Sequence, residues 1–194
     1  AKEEAKILEE AGFHALLYTN ESDMPYEGTM PIEVVAAMTE VIAECQAQTT
    51  LPHGVNMLID PPASIAVAHA TGGRFVRAFL TGGLVGDIGM MTPDGARALR
   101  LRANLGAEHI RIICNVTPGF SINLDNRPVE QKASGAVFIG LADIVCVGGP
   151  AAGKEADIAV IESVARQVPD TPVAVGTGVA EENIARLAEV AELF

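Results

Sequence analysis

Along this chain, short apolar runs alternate with longer stretches whose apolar positions recur every three or four residues. HALLYTN (14–20) precedes PIEVVAAMTEVIAEC (31–45), HGVNMLI (53–59) precedes PPASIAVAHAT (61–71), and RFVRAFL (74–80) precedes DGARALRLRANL (94–105). HIRIICNV (109–116) precedes PVEQKASGAVFI (128–139), DIVCVGG (143–149) precedes KEADIAVIESVARQV (154–168), and PVAVGTG (172–178) precedes AEENIARLAEV (180–190). The first long helical stretch sets Val35, Met38, Val41, Ile42 and Cys45 on one face at the 3.6-residue period. Prolines 31, 93 and 128 stand where helices begin, with Thr92 suited to an N-cap. The strand runs are rich in Val and Ile without alternation, as parallel strands covered on both faces are. Strand then helix, roughly every thirty residues, predicts a chain of βαβ units.

Two α/β architectures accommodate that order, a (β/α)8 TIM-type barrel and an open doubly wound sheet. The unbroken alternation, and the lack of a first strand carrying GxGxxG with a distant acidic residue, favour the barrel. Six complete strands are legible, with one helix before them and the start of another strand at VAELF. Against a barrel of about 250 residues, residues 1–194 read as a single partial barrel domain lacking strand 1 and most of strand 8.

Composition narrows the partners. With 194 residues, 49% hydrophobic, the chain suits one sizeable core. A formal net charge of −12 and a pI near 4.7 argue against nucleic acid or an anionic membrane surface, which both need basic patches. Cys45, Cys114 and Cys146 have no CxxC spacing, and they read as small buried hydrophobes in a reducing, cytoplasmic compartment. AKEEAKILEEAG is a charged amphipathic helix and not a signal peptide, and the most apolar stretch, AVFIGLADIVCVGG, is interrupted by Asp143 and glycines, so no transmembrane span is expected.

In a barrel the reacting groups stand where strands end. That rule sets aside His14, His53 and His109 at strand beginnings and His69 within a helix. It selects Asn20, Glu21 and Asp23 after the first strand, Asn56 and Asp60 after the second, and Asn115 and Thr117 after HIRIICNV. Arg77 lies inside RFVRAFL, where a guanidinium needs an anionic partner, either a carboxylate such as Asp87 or a substrate anion. Asp23 and Asp87 are the candidate acid/base groups, Arg77 joins them in the catalytic set, and Asn20, Asn56 and Asn115 are expected to line the substrate. The Gly-rich loop 81–93, with Met90 and Met91, suits a lid over a site or a contact between subunits, so a homo-oligomer is compatible with the sequence. No lysine stands in a strand, which disfavours a Schiff-base mechanism. No cofactor is called for. Asp23, Asp60 and Asp87 leave Mg²⁺ open, although no dedicated metal-ligand motif is present.

The glycines at strand ends carry the remaining signal. Gly148–Lys154 reads GxxxxGK, but Glu155 occupies the position where a P-loop has Ser or Thr, which disfavours nucleotide hydrolysis. Gly176-Thr177-Gly178 closes one apolar strand just before a helical pattern, and Gly148-Gly149 closes the preceding one. Glycines let backbone amides approach an anion, and barrels place phosphates on the loops after their last strands. These five residues are the expected phosphate site, and a small phosphorylated metabolite is the expected partner. Tight turns alone would use the same glycines, and Glu181 and Glu182 lie unfavourably close for an anion.

The blocks EAKILEEAGFHALLYTNESDMPY, GVNMLIDPPASIAVAHATGGRFVRAFLTGGLVGDIGM, GLADIVCVGGPAAG and TPVAVGTGVAEENIARLAEVAELF resemble the BtpA/SgcQ family along essentially the whole chain. That resemblance implies a ribulose-phosphate-binding type TIM barrel. For function it implies either a sugar- or nucleoside-processing enzyme (nucleosidase, lyase or isomerase) or a non-catalytic factor for assembly or stability of photosystem I. Matching positions are Asn20, Asp23, Asn56, Arg77, Asp87, Gly89 and the two glycine blocks. One stretch departs: the family pattern after the fifth strand reads approximately Asp-Val-x-Val-Lys-His, and here Asn115-Val116-Thr117-Pro118-Gly119-Phe120 stands instead. The acid, lysine and histidine are absent, which implies a changed substrate or lost catalysis.

Overall fold

The computed structural model describes all 194 residues, which divide into two compact units. The first comprises Ala1–Ala78 and Arg97–Arg111, and the second Phe79–Ala96 and Ile112–Phe194.

In the first unit, α1 (Lys2–Glu10), β1 (Leu16–Thr19), α2 (Ile32–Gln46), β2 (His53–Asn56), α3 (Pro61–Thr71) and β3 (Phe75–Ala78) follow one another. The strands pair in parallel, Leu16 opposite His53 and Thr19 opposite Asn56, then Gly54 opposite Phe75 and Val55 opposite Val76. Two-faced burial, expected from the Val/Ile runs, is seen in β2, whereas burial alternates along β3, with Val76 and Ala78 buried and Phe75 and Arg77 half-buried. Leu16, Val55 and Val76 share the core with Ile42, Cys45, Ile65 and Val67 of the helices. Val41, expected on the inner face of α2, is instead exposed. α3 starts as its sequence dictates, with Asp60 as N-cap, prolines in the first turn, and Gly72 at φ 77° ending it in the left-handed conformation. Gly54 is required by packing, because a Cβ there would overlap the Phe75 ring.

The second unit holds β4 (Leu84–Gly86), β5 (Gly89–Met91), most of β6 (Arg111–Asn115), β7 (Ser121–Asn123), α5 (Val129–Phe138), β8 (Ile144–Val147), α6 (Ile158–Gln167), β9 (Val173–Val175) and the single-turn α7 (Ile184–Leu187), while α4 (Gly95–Asn104) belongs mostly to the first. β6, β8 and β9 are parallel, with Asn115 opposite Cys146, Cys146 opposite Ala174, and Val147 opposite Val175. Leu193 bridges to Ala174 in parallel, so the strand expected at VAELF does begin beside β9.

A three-stranded antiparallel sheet, β5-β4-β7, interrupts the expected strand–helix alternation. The loop foreseen over 81–93 is thus largely a hairpin completed by residues 121–123. Leu84 and Met91 are opposite each other and buried, whereas Met90, Val85 and Ile122 form a cross-strand row on the other face. Met90 is 72% exposed and Ile122 68%, but Met91 only 4%, so of the two methionines considered for a lid or a subunit contact only Met90 is on the surface. No helix is long and apolar enough to cross a membrane.

Candidate functional site

Parallel strands deliver their C-terminal residues to one edge, and each unit collects polar groups there. In the first unit, Thr19 pairs with Asn56, and one step beyond the Val55–Val76 pair the same register sets Arg77 beside Asn56. Asn56 and Arg77 are half-buried, and Arg77 is engaged by neighbouring groups. Asn20, 6% exposed, organises the loops above them. Its Nδ2 donates to Asp23 Oδ2 at 3.4 Å and to Met30 Sδ at 3.2 Å, while its Oδ1 accepts from the Leu58 amide at 2.8 Å.

Asp60 completes that arrangement. Oδ1 accepts from the Ala63 amide at 2.9 Å, capping α3, and Oδ2 accepts from the Met30 amide at 2.8 Å. Between these two anchors Ile59 is held at φ 71°, a conformation a β-branched residue adopts only under constraint. Asp60 therefore has each carboxylate oxygen on a backbone amide. Nowhere do three or more His, Cys, Asp or Glu side chains gather as metal ligands. Asp23 is exposed at the rim.

The histidines stay clear of strand ends. His53, at the start of β2, is buried with its ring 3.0 Å from Thr71 Oγ1; burial, and secondarily Arg74, depress its pKa below 6.5.

In the second unit the two glycine blocks meet. β8 and β9 end side by side, the Gly176 amide donates to the Val147 carbonyl at 2.9 Å, and a Cβ on Gly148 would lie 3.7 Å from Thr177 Cγ2. Thr117 joins them: its hydroxyl accepts from the Gly148 amide at 2.6 Å and donates to the Gly148 carbonyl at 3.1 Å. Thr177 Oγ1 accepts from the Gly153 amide at 2.8 Å. Asn115, half-buried at the end of β6, stands two residues before Thr117. Asp87 is exposed at the tip of the β4–β5 hairpin.

The segment 150–155 folds back over these glycines. A Cβ on Gly149 or on Gly178 would overlap the Lys154 carbonyl, and Gly178 also sits at φ 74°. Close backbone approach therefore accounts for glycine at both positions. The GxxxxGK stretch is not a P-loop. α6 begins only at Ile158 behind an Asp157 cap, and Glu155 pairs with Arg186. The amides of Gly149, Thr177 and Gly178 make no hydrogen bond within the chain. Gly149 is nevertheless buried, where an amide normally has an acceptor.

Parallel strands ending in polar, glycine-tipped loops define an α/β protein of the barrel type. The chain belongs to the BtpA family, whose sequence model matches residues 1–194. It is 33% identical to the sgc region protein SgcQ of Escherichia coli over 99% of this chain and 72% of that protein. It is 28% identical to the photosystem I biogenesis protein BtpA of Synechocystis over 98% of this chain and 67% of that protein. Among solved structures, phosphoribosyl anthranilate isomerase from Thermus thermophilus aligns with a TM-score of 0.57 over 98% of this chain and 78% of its own, at 14% identity. A D-allulose 3-epimerase from Methylomonas sp. aligns at 0.54 over 97% of this chain and 74% of its own, at 13% identity. These likenesses establish the TIM-barrel type of fold, as the strand pattern predicts.

Sequence reasoning marked Thr117 as a strand-end residue but not as the tie between glycine blocks. It also passed over Lys154, whose carbonyl dictates two of the glycines. The former is legible as a hydroxyl at a strand end; the latter is a backbone group and leaves no side-chain signal.

Proposed function

We propose that this chain binds a phosphorylated sugar or nucleoside-derived metabolite, with the phosphate on the amides of Gly149, Thr177 and Gly178 and with Asn115 at the same end of the sheet. The observation that carries this reading is three neighbouring amides without acceptors at the ends of adjacent parallel strands, where an anion supplies what the chain does not. Gly148 and Gly176 shape the cradle, each with its own amide already bonded. Asp87, in the same unit, stands as an acid/base candidate; Asp23 as acid/base, Arg77 as a charge-stabilising group and Asn20 and Asn56 as polar lining are proposed separately, for the strand ends of the first unit. An isomerase or epimerase reaction is in keeping with the fold neighbours, and a nucleosidase or lyase would use the same carboxylates. A cytoplasmic setting accords with the acidic balance and three buried free cysteines. Titrating ¹⁵N-labelled protein with ribose 5-phosphate is expected to move the amide signals of residues 149, 177 and 178. Thr177→Asp, which adds a carboxylate without filling either glycine gap, is expected to abolish that response. Unmoved signals at these three amides sink the reading.

One observation favours a second, non-catalytic reading as an assembly factor: the apolar row Met90–Val85–Ile122, exposed at its two ends and half-buried at Val85. Such a row suits protein contact, and one relative carries the name of a photosystem I biogenesis protein. Loss of co-purification with photosystem I on replacing Met90 and Ile122 by Ser would support it. Met91 is the internal control, since its side chain faces the core.

A further inference from the structure

The second unit contains a cavity of about 210 Å³ that none of the strand-end glycines line. It is lined by Asn115 and Val116 at the end of β6, by Asn123 on β7, and by Lys132 and Ile139 near the two ends of α5. Phe79 and Thr81 close it from the segment after β3.

Three charged residues line this space: Asp125, Arg127 and Lys132. Asp125 and Arg127 satisfy each other. The carboxylate accepts from the Arg127 backbone amide at 2.9 Å and from Nε at 2.7 Å, and a guanidinium nitrogen lies 2.6 Å away. The Lys132 ammonium makes no hydrogen bond and no close ion pair, and its charge reaches Asp125 only at longer range. One carboxylate against two cations leaves the lining at +1, in a chain whose formal charge is −12. Local helix physics does not explain the lysine either. It is the fourth residue of α5, near the positive end of the helix dipole, where a cation is disfavoured. Glu130, two positions earlier, is not on the same face and does not line the cavity.

We propose that this cavity is a binding site for a small oxyanion, a phosphate or carboxylate group of a short metabolite, held by the Lys132 ammonium with the Asn115 and Asn123 side-chain amides as directional donors. Phe79 and Ile139 offer an apolar surface for the few carbons attached. The volume is below the range of about 300–1,000 Å³ typical of pockets for drug-sized ligands, which restricts the occupant to a small molecule. A half-buried ammonium beside two neutral amides prefers an anion to a neutral polyol, because an anion adds a charge-assisted hydrogen bond that a polyol does not. The proposal does not depend on the glycine-loop reading, although Asn115 serves in both.

The test uses the full ¹⁵N-labelled chain, titrated separately with inorganic phosphate and with sodium acetate at constant ionic strength. Saturable movement of the Asn115 and Asn123 side-chain amide signals with either anion is expected, and the stronger of the two identifies the oxyanion class. Lys132→Gln should weaken that binding at least tenfold, Lys132→Arg should retain it within about threefold, and Thr177→Asp should leave it unchanged. Equal affinity in Lys132→Gln overturns the proposal. So do shifts confined to residues 149–178, or an absence of saturable shifts with both anions. Loss of the response in Thr177→Asp alone would overturn it in favour of the glycine loops.

Discussion

Gly149 and Gly178 approach the same carbonyl, that of Lys154, from two directions, and this shared contact can be measured as a coupling. Gly149→Ala places a methyl against the carbonyls of Lys154 and Glu155. Relief requires a backbone shift, and overpacking of this kind costs about 1–3 kcal/mol. Gly178→Ala meets the same Lys154 carbonyl and must also hold φ at 74°, which adds about 1–2 kcal/mol for a left-handed alanine. Its total is therefore about 2–5 kcal/mol. Once the first methyl has displaced residues 154–155, the second meets less resistance. The double variant should then fall short of the sum of the singles by about 0.5–3 kcal/mol. Urea unfolding followed by circular dichroism reads this directly. With a slope of about 2–3 kcal/mol/M, Gly178→Ala should lower the midpoint by roughly 0.7–2.5 M. Single variants within 0.5 kcal/mol of the parent, or strictly additive losses, would refute the argument that the Lys154 carbonyl selects these glycines.

Two further outcomes follow from side chains already described. Asp60→Ala removes the α3 cap and leaves the buried Met30 amide without an acceptor, so the urea midpoint should fall by the equivalent of about 2–4 kcal/mol, with Asp60→Asn losing about half that. Hydrogen bonding to the Arg127 side chain and then to its backbone lowers the Asp125 pKa from 3.8 to about 2. Its folded-state value lies below the unfolded one, so the pair contributes to stability above pH about 4 and the contribution is lost as pH falls from 3.8 towards 2. A carboxyl-carbon NMR titration should place its midpoint near 2 in the parent and part of the way back towards 3.8 in Arg127→Gln, which keeps the backbone hydrogen bond and the Lys132 charge.

The parallel strands were legible because Val/Ile runs bounded by glycine or asparagine have few alternatives, and α3 was legible because it carries its own start and stop signals. The last helix was overread. AEENIARLAEV has a helical period, yet Asn183 accepts from the Ala180 amide and donates to the Gly178 carbonyl, both at 2.8 Å. That side chain folds 178–183 into a turn of its own and leaves helix only at Ile184–Leu187. The antiparallel sheet was missed because LVG, GMM and SIN are three-residue strands and the third lies some thirty residues beyond its partners. Strand-end asparagines and glycines could be found from sequence because position alone marks them. Lys132 could not, since a lone lysine on a helix looks like a solvated charge until the surrounding walls are known.

The Thr117 hydroxyl acts in the manner of a peptide group, offering both a proton and a lone pair to Gly148 beyond the last backbone pairing of β6 with β8. The distance between those two loops is thereby fixed by one rotamer and is largely independent of the residues that follow. Pro118 is consequently open to replacement without moving Gly148, whereas Gly119 packs beside the Gly149 carbonyl and the Ala151 backbone and the Phe120 ring meets Phe79 edge-on, so changes at those two are felt beyond the loop. Serine would preserve that latitude, and valine, with the same outline and neither function, would remove it.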